Sequence, residues 1–215
     1  MNQHIIQEFF VEGPAGKLES ILAEPQSSPK GIAIIAHPHP QHGGTMHNKI
    51  VHTLFNSLVE IGFITVKFNF RGVGKSDGIF DNGIGEIEDV VTLTNVIRDQ
   101  FDNQISSLPI LLAGFSFGGG IQLHAAKQLN PEYLILIAPS VKKMHAPPVQ
   151  EQVKHTLIIH GENDEIVPIK TIFDWAAPQS LPVIIIPSAE HFFHGKLAIL
   201  KQTIINFCIG KYLAQ

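Results

Sequence analysis

The most constraining feature of this chain is an apolar run that ends in a tight glycine–serine turn at residues 111–120. The run leads into Gly114-x-Ser116-x-Gly118, and a segment with helical spacing follows. This pattern predicts a strand, a very tight turn and a helix, with the serine at the apex in strained backbone geometry. Side chains two residues before and after the serine would collide there, which explains both glycines. Ser116 is therefore a candidate nucleophile, and its partners are expected at the ends of other strands.

Short apolar runs alternate with helix-like segments from residue 31 onward. The runs are rich in Ile, Val and Leu, as in strands covered on both faces; they span residues 31–36, 63–70, 109–115, 133–138, 156–160 and 182–186. Helical spacing covers roughly residues 47–61, 85–101, 117–129, 168–177 and 193–209. Residues 5–11 and 17–24 flank turn residues and predict an antiparallel hairpin. We expect an α/β fold in one domain over residues 1–215, a mostly parallel twisted sheet with helices on both faces.

Composition excludes several classes of partner. The formal charge of −4 comes from acids and bases mixed along the chain, so no basic stripe predicts nucleic-acid binding. The first residues lack the pattern of a signal peptide, and no apolar run is long enough for a membrane span, so we expect a cytoplasmic protein with no membrane partner. The single cysteine, Cys208, lies in an apolar stripe and is expected in the core. The oligomeric state leaves no signal in the sequence.

Candidate partners for the serine follow two later strands, at the sheet edge where open α/β sheets bind ligands. An acid at a strand end can orient an imidazole, and Glu162, Asp164 and Glu165 all follow the run at 156–160. His191 comes soon after the last strand and is the better candidate base, whereas His194 lies a helical turn further on.

The loop after the first buried strand, residues 37–47, is rich in histidine. A hydrolase needs a backbone N–H here to bind an oxyanion, and Pro38 and Pro40 have none, so the candidate donors are His39 and, behind it, Gln41. Phe117, directly after the serine, would supply the second N–H. A rival interpretation, a metal site, would use His37, His39, His42 and His47. We disfavour it because no Cys, Asp or Glu joins them; most of these imidazoles should bond loop backbone and line the mouth of the site.

Two further charged stretches are interpreted structurally. Gly74-Lys75-Ser76 resembles the end of a phosphate-binding loop, but Asn69 stands where that motif needs glycine. Arg71 and Asp77 are expected to be structural loop residues. The acids at the start of the next helix should form a solvated helix start that suits the helix dipole; they are Glu86, Glu88 and Asp89.

Taken together, these motifs resemble those of the α/β-hydrolase superfamily, and they cover nearly the whole chain. The order Ser116, Asp164, His191 is the order of that superfamily's triad. The matching motifs are His37-Pro38-His39-Pro40 with Gly43-Gly44-Thr45-Met46, Asn69-Phe70-Arg71-Gly72, Gly114-Phe115-Ser116-Phe117-Gly118-Gly119, His160-Gly161-x-x-Asp164-x-x-Val167-Pro168 and His191-Phe192-Phe193. The chain is most similar to small bacterial serine hydrolases without a lid, near the dienelactone hydrolases, although those use cysteine where this chain has Ser116.

The resemblance implies ester hydrolysis through an acyl-enzyme on Ser116, with His191 as base and Asp164 as orienting acid. The short connection after residue 138 leaves little to enclose a long acyl chain, so we expect small to medium soluble carboxylic esters. No metal or organic cofactor is implied, and the partner is a small-molecule substrate. The expected apolar pocket walls are Met46, Met144 and Phe192, with Phe115, Phe117 and Phe193. Thioesters, lactones and short peptides are alternative substrates, and a binding module without turnover is the alternative function.

Overall fold

The computed structural model describes residues 5–101 and 103–212 and contains one eight-stranded sheet. The strands are β1 (Ile5–Gly13), β2 (Gly16–Glu24), β3 (Gly31–Ala36), β4 (Phe63–Phe68), β5 (Ile110–Phe115), β6 (Tyr133–Ile137), β7 (His155–Gly161) and β8 (Val183–Ile186). Their spatial order is β1-β2-β4-β3-β5-β6-β7-β8. Strands β1 and β2 form the antiparallel hairpin, β2 joins β4 antiparallel, and all later pairings are parallel. The predicted fold class is confirmed.

In the part of the chain that the structure describes, six α-helices occupy the segments between or after the strands. They are α1 (Lys49–Glu60), α2 (Ile84–Asp99), α3 (Asn103–Ser106), α4 (Phe117–Leu129), α5 (Ile169–Ala176) and α6 (Leu197–Tyr212). Helix α1 begins later than the periodicity predicts because the Asn48 side chain caps it, accepting the Ile50 N–H at 2.9 Å. Helix α6 begins at residue 197 rather than 193 because Phe193 has a φ of 51°, outside the helical region.

The core lies on both faces of the sheet. One face packs against α2, α4 and α5, where Val90, Ile121 and Ile172 are buried. The other packs against α1 and α6, and Cys208 of α6 is buried there as expected. Burial raises the pKa of the Cys208 thiol to about 12. Within residues 5–101 and 103–212, each helix is too short or too polar to cross a bilayer.

The loop after β4 is fastened to the hairpin by side-chain hydrogen bonds. Asp77 accepts the Lys17 N–H at 2.8 Å. Glu19 accepts hydrogen bonds from the Asn69 amide and the Lys75 N–H, each at 2.8 Å. Asn69 therefore joins this loop to the hairpin, and Asp77 is structural, as expected.

A buried ion pair joins the start of α2 to the same loop, contrary to the expectation of a solvated helix start. The Asp89 side chain is fully buried, and Arg71 binds it through two nitrogens, with Nη2 2.8 Å from Oδ1 and Nε 3.0 Å from the same oxygen. Glu86 is also buried, and accepts the Gly83 N–H at 2.7 Å. Of the three acids, only Glu88 is exposed. Arg71 is structural, as expected, but two of the acids serve fixed internal partners.

Replacing Asp89 with alanine leaves the Arg71 guanidinium buried without its main partner. We expect D89A to lower the free energy of unfolding by about 3 kcal/mol, whereas E88A, which removes the exposed partner of Arg71, should cost less than about 1 kcal/mol. Urea unfolding of both variants measures the difference. Equal losses in the two variants would contradict the importance of the buried pair.

Candidate active site

Ser116 lies at a strained turn between β5 and α4. Its φ of 54° and ψ of −115° place a non-glycine residue in a rarely populated region, at a cost of about 1–3 kcal/mol. A Cβ on Gly114 would lie 2.5 Å from the Gly118 carbonyl carbon, and one on Gly118 would lie 2.3 Å from the Ala36 oxygen. These collisions confirm why both positions are glycine.

Gly119 and Gly120 lie against the loop after β6. A Cβ at Gly119 would meet Pro139 at 2.9 Å, and one at Gly120 would meet Met144 at 2.5 Å. Both glycines thus make room for the loop after β6.

Backbone hydrogen bonds hold the strained serine in place. The Ser116 N–H donates to the Ile137 carbonyl at 2.9 Å, and the Ser140 N–H donates to the Ser116 carbonyl at the same distance. The Ser140 hydroxyl is 3.3 Å from the Ser116 hydroxyl. The loop after β6 therefore fixes the serine, and sequence reasoning did not single out Ser140.

The His191 imidazole connects Ser116 to Asp164. Its Nε2 lies 3.0 Å from Ser116 Oγ, and its Nδ1 lies 2.7 Å from Asp164 Oδ2. Because an ionised carboxylate only accepts hydrogen bonds, Nδ1 carries the proton and Nε2 can accept from the serine hydroxyl. The ring is 4% exposed and packs against the rings of Phe115 and Phe192, at centroid distances of 4.9 and 5.2 Å. The imidazole is therefore held in one orientation by packing and by hydrogen bonding.

Asp164 is fixed by its own turn. Its Oδ1 accepts the N–H groups of Ile166 and Val167 at 3.0 and 2.8 Å. Burial acts to raise the pKa of Asp164, but the hydrogen bonds from His191 and Val167 and the nearby imidazoles outweigh it and hold that pKa below its usual value. The carboxylate is thus ionised at neutral pH.

The other candidate acids and the other histidine lie elsewhere. Glu162 accepts the Ser188 N–H at 2.8 Å, and Glu165 is exposed. His194 is exposed and pairs with Glu190. Of these residues, the structure brings only Asp164 and His191 to the serine.

Close backbone contact brings the acid loop to the histidine loop. A Cβ on Gly161 would lie 2.5 Å from the Ala189 oxygen, and the Asn163 N–H donates to that oxygen at 2.8 Å. The glycine that ends β7 therefore sets the distance between the two loops.

The two favoured oxyanion donors keep their N–H groups unused. Neither the His39 nor the Phe117 N–H donates a hydrogen bond within the part of the chain that the structure describes. Gln41 differs, because its N–H donates to the His39 ring at 3.3 Å and the residue is exposed. His39 therefore fits the role better than Gln41.

A small cleft of about 140 Å³ contains Ser116 and His191. Its other lining residues are Pro38, His39, His42, Gly43, Gly44, Asn48, Ile166 and Phe192. A neighbouring cavity of about 80 Å³, which shares Ile166, has Ser140, Lys142, Lys143 and Thr171 in its wall.

A larger cavity of about 590 Å³ lies at the opposite ends of β7 and β8, away from the serine. Residues 139–154 form only turns and irregular structure, so no helix from that segment covers the cleft.

Of the six side chains expected in the pocket walls, only Phe192 lines the cleft. Met46 is 1% exposed and packs in the core with α1, and its N–H donates to Asn69 Oδ1 at 2.8 Å. Met144 fills the space above Gly83 and Gly120. Phe115, Phe117 and Phe193 are also core residues. Ile166 and Asn48, which do line the cleft, carry no sequence signal.

The histidines after β3 serve separate purposes. His37 is fully buried, with Nδ1 2.6 Å from the Pro38 carbonyl and Nε2 accepting the Phe70 N–H at 3.1 Å. His39 and His42 stack at 4.4 Å beside the cleft, and His47 is exposed. Among residues 5–101 and 103–212, no group of three or more His, Cys, Asp or Glu side chains is arranged to hold a metal ion.

Adding a single methyl group at Gly118 tests the close contact between the first turn of α4 and the Ala36 backbone at the end of β3. Because that Cβ would lie 2.3 Å from a backbone oxygen, we expect G118A to lower the free energy of unfolding by about 3 kcal/mol or more. The control is G210A, where a Cβ meets nothing within 4 Å and helix propensity favours alanine by up to about 1 kcal/mol. Thermal and urea unfolding compare the two, and a G118A chain of unchanged stability would contradict the contact.

Burial of His37 makes stability depend on pH. Burial lowers the pKa of His37 from 6.5 to about 4, so between these values the unfolded chain binds a proton that the folded chain does not. Stability must therefore fall as the pH falls through this window, by about 2.5 kcal/mol between pH 7.5 and 4.5. Urea unfolding across the window, beside H37Q, measures the effect. An equal pH dependence in H37Q would show that other groups cause it.

Comparison with known proteins identifies the family. The family model of serine aminopeptidase S33 matches residues 28–157. The α/β serine hydrolase XC6422 of Xanthomonas campestris, which has no lid, is 36% identical over 93% of this chain and 91% of that one, with a TM-score of 0.86. An α/β serine hydrolase homologue from Coxiella burnetii is 40% identical over 93% of this chain and 96% of that one, with a TM-score of 0.82.

A curated enzyme also matches part of the chain. The monoacylglycerol lipase of Mycolicibacterium smegmatis is 29% identical over 122 residues, which are 54% of this chain and 40% of the lipase. The family model covers more than half of the chain, and the two solved structures share its fold over most of its length. The chain therefore belongs to the serine aminopeptidase S33 family of the α/β-hydrolase superfamily.

Proposed function

We propose that this hydrolase cleaves small to medium carboxylic esters through an acyl-enzyme on Ser116. The observation that carries the proposal is the continuous chain of hydrogen bonds from Ser116 Oγ through His191 to Asp164, with heavy-atom distances of 3.0 and 2.7 Å. A serine hydroxyl is a weak nucleophile until an adjacent base accepts its proton.

The proposed reaction has two halves. Ser116 Oγ attacks the ester carbonyl while His191 Nε2 takes its proton, and Asp164 stabilises the imidazolium that results. The imidazolium then protonates the leaving alcohol as the C–O bond breaks. Water, deprotonated by the same nitrogen, attacks the acyl-enzyme, and the carboxylic acid leaves as Ser116 regains its proton.

The unused N–H groups of His39 and Phe117 are the proposed oxyanion donors. Phe117 is the first residue of α4, where N–H groups have no partner within the helix. His39 lines the cleft beside Ser116. Donors that are already fixed stabilise the charge that develops on the carbonyl oxygen without reorganisation.

The lining of the cleft favours an ester over a peptide with a free amino terminus. No aspartate or glutamate is among the described residues that line the 140 Å³ cleft or its neighbouring cavity, whereas Lys142 and Lys143 lie in the second. An α-ammonium group would find no carboxylate to bind and would meet positive charge. The similarity to a monoacylglycerol lipase also supports ester substrates. The small volume supports short acyl groups, because a cleft of 140 Å³ has no room for a long chain.

Brief exposure to a fluorophosphonate tests the proposal by intact mass. Oγ of an activated serine forms a bond to phosphorus as fluoride leaves, so the native chain should gain one adduct and S116A none. The matched control is S140A, which removes the neighbouring hydroxyl 3.3 Å away and should still gain the adduct.

Substrate class is tested separately on the same preparation. We expect acetyl and butyryl aryl esters to have kcat/KM values at least about a hundredfold above those of the corresponding amino-acid anilides, a difference of about 3 kcal/mol in transition-state stabilisation. Faster cleavage of the anilides would favour aminopeptidase activity. A folded native chain with no adduct would favour a binding module without turnover.

A further inference from the structure

A second hydroxyl group contacts the oxygen of the reactive serine. Ser140 follows β6, and its Oγ forms a hydrogen bond of 3.3 Å with Ser116 Oγ. Ser116 and Ser140 are only 7% and 8% exposed, so little water competes for this bond. Among the described residues, Ser116 is the one hydrogen-bond partner of the Ser140 hydroxyl. The sole interaction of this buried hydroxyl is therefore with the proposed nucleophile.

Backbone hydrogen bonds fix the position of Ser140. Its N–H donates to the Ser116 carbonyl at 2.9 Å, and its carbonyl accepts the Met144 N–H at 3.0 Å. Ser140 lies in the wall of the 80 Å³ cavity and is not among the residues that line the 140 Å³ cleft. The second hydroxyl thus reaches Ser116 from the neighbouring cavity, whereas His39 lies in the cleft.

The direction of the hydrogen bond between the two hydroxyls follows from the imidazole. His191 keeps the proton on Nδ1 for Asp164, so its Nε2 accepts the hydroxyl proton of Ser116 over 3.0 Å. A serine hydroxyl has one proton, so Ser140 must supply the proton that lies between the two serines. Ser116 Oγ therefore donates to His191 and accepts from Ser140.

The strength of this hydrogen bond must change during hydrolysis of the acyl-enzyme. There Ser116 Oγ is the alkoxy oxygen of an ester, a poor acceptor because its lone pair is shared with the carbonyl group. After water has attacked, the bond between the acyl carbon and Oγ breaks, and its electron pair moves onto Oγ. A donor fixed on Oγ binds more strongly in that transition state than in the acyl-enzyme, so it accelerates the step.

Formation of the acyl-enzyme should gain much less from the same donor. Ser116 Oγ begins that step as a hydroxyl oxygen, which already accepts the hydrogen bond from Ser140. As Oγ attacks, its proton passes to His191 and its electron pair forms the bond to carbon, so little further charge builds up on it. The donor is nearly as well bound before the attack as during it, and such an interaction does not change the rate.

We propose that Ser140 is a catalytic residue for deacylation, donating a hydrogen bond to Ser116 Oγ as that oxygen leaves the acyl carbon. The inference rests on the proposed function, because it assigns a role within the second half of that reaction. The proton that Oγ gains comes from His191 Nε2, which received it from the attacking water. Ser140 keeps its own proton, and the carboxylic acid is released.

Four variants separate the hydroxyl group from packing. S140A removes the hydroxyl and keeps the backbone N–H that binds Ser116. S140T and S140V have the same shape, and only the first retains a hydroxyl; the added carbon of both borders the 80 Å³ cavity. The matched control is S57A, because Ser57 is also buried but its hydroxyl donates to the Thr53 carbonyl of α1 at 2.7 Å.

The readout is steady-state hydrolysis of 4-nitrophenyl butyrate. An aryl leaving group makes acylation fast, so kcat reports deacylation and kcat/KM reports acylation. In S140A and S140V we expect kcat and KM to fall together by about tenfold, the loss of one hydrogen bond between neutral groups. Their kcat/KM should stay within about twofold of the native value. Intact mass after an acid quench should show more butyryl-enzyme than in the native chain, whereas S140T and S57A should match it.

Other results would overturn the proposal. A fall in kcat/KM as large as the fall in kcat would indicate a packing defect or a contact with the oxyanion, since both affect acylation. If S140A does not fold, the pair of equal shape decides, and equal kcat values in S140T and S140V contradict a role for the hydroxyl. A native chain that gains no fluorophosphonate adduct overturns both proposals. A labelled native chain whose S140A variant keeps the native kcat overturns this one alone.

Discussion

The contact between the first turn of α4 and the end of β3 is the constraint on which the rest of the site depends. Gly118 sits so near the Ala36 carbonyl that a single added carbon would lie 2.3 Å from that oxygen. This proximity forces the chain to turn sharply at Ser116, with a positive φ. Two sets of contacts stabilise this strained backbone. Strand β5 pairs in parallel with β3 and β6, and Ser116 forms backbone hydrogen bonds with Ile137 and Ser140. A large, well-packed sheet thus holds one residue in a conformation that it would not adopt alone.

Much of this architecture follows from local patterns in the sequence. The strands were predictable because they are continuous apolar runs, and such runs are what two-sided burial requires. Ser116, Asp164 and His191 were identifiable because each follows a strand whose carboxyl end must face the same edge of the sheet. Periodicity located the helices but not their starts, because a cap such as Asn48 or a positive φ such as that of Phe193 decides where a helix begins.

The parts that escaped prediction depend on contacts between distant segments. An acid at the start of a helix satisfies the dipole whether it is exposed or buried, so nothing local distinguished Glu88 from Asp89. Only the folded structure shows that Arg71 and Asp89 form a buried ion pair. Met46 and Met144 are as apolar as any pocket wall, and only the fold shows that Met46 is bound to Asn69 and that Met144 lies against Gly83 and Gly120.

The cleft is assembled from two kinds of structure. The proposed reacting groups are fixed by backbone bonds and buried rings, whereas walls such as Ile166 and His42 are exposed side chains. Changes in those walls would alter which molecules fit without disturbing the sheet or the serine turn. Surface substitutions can therefore change the substrate range of this protein at little cost in stability. Related proteins that share its reactive groups are free to differ in the molecules that they accept.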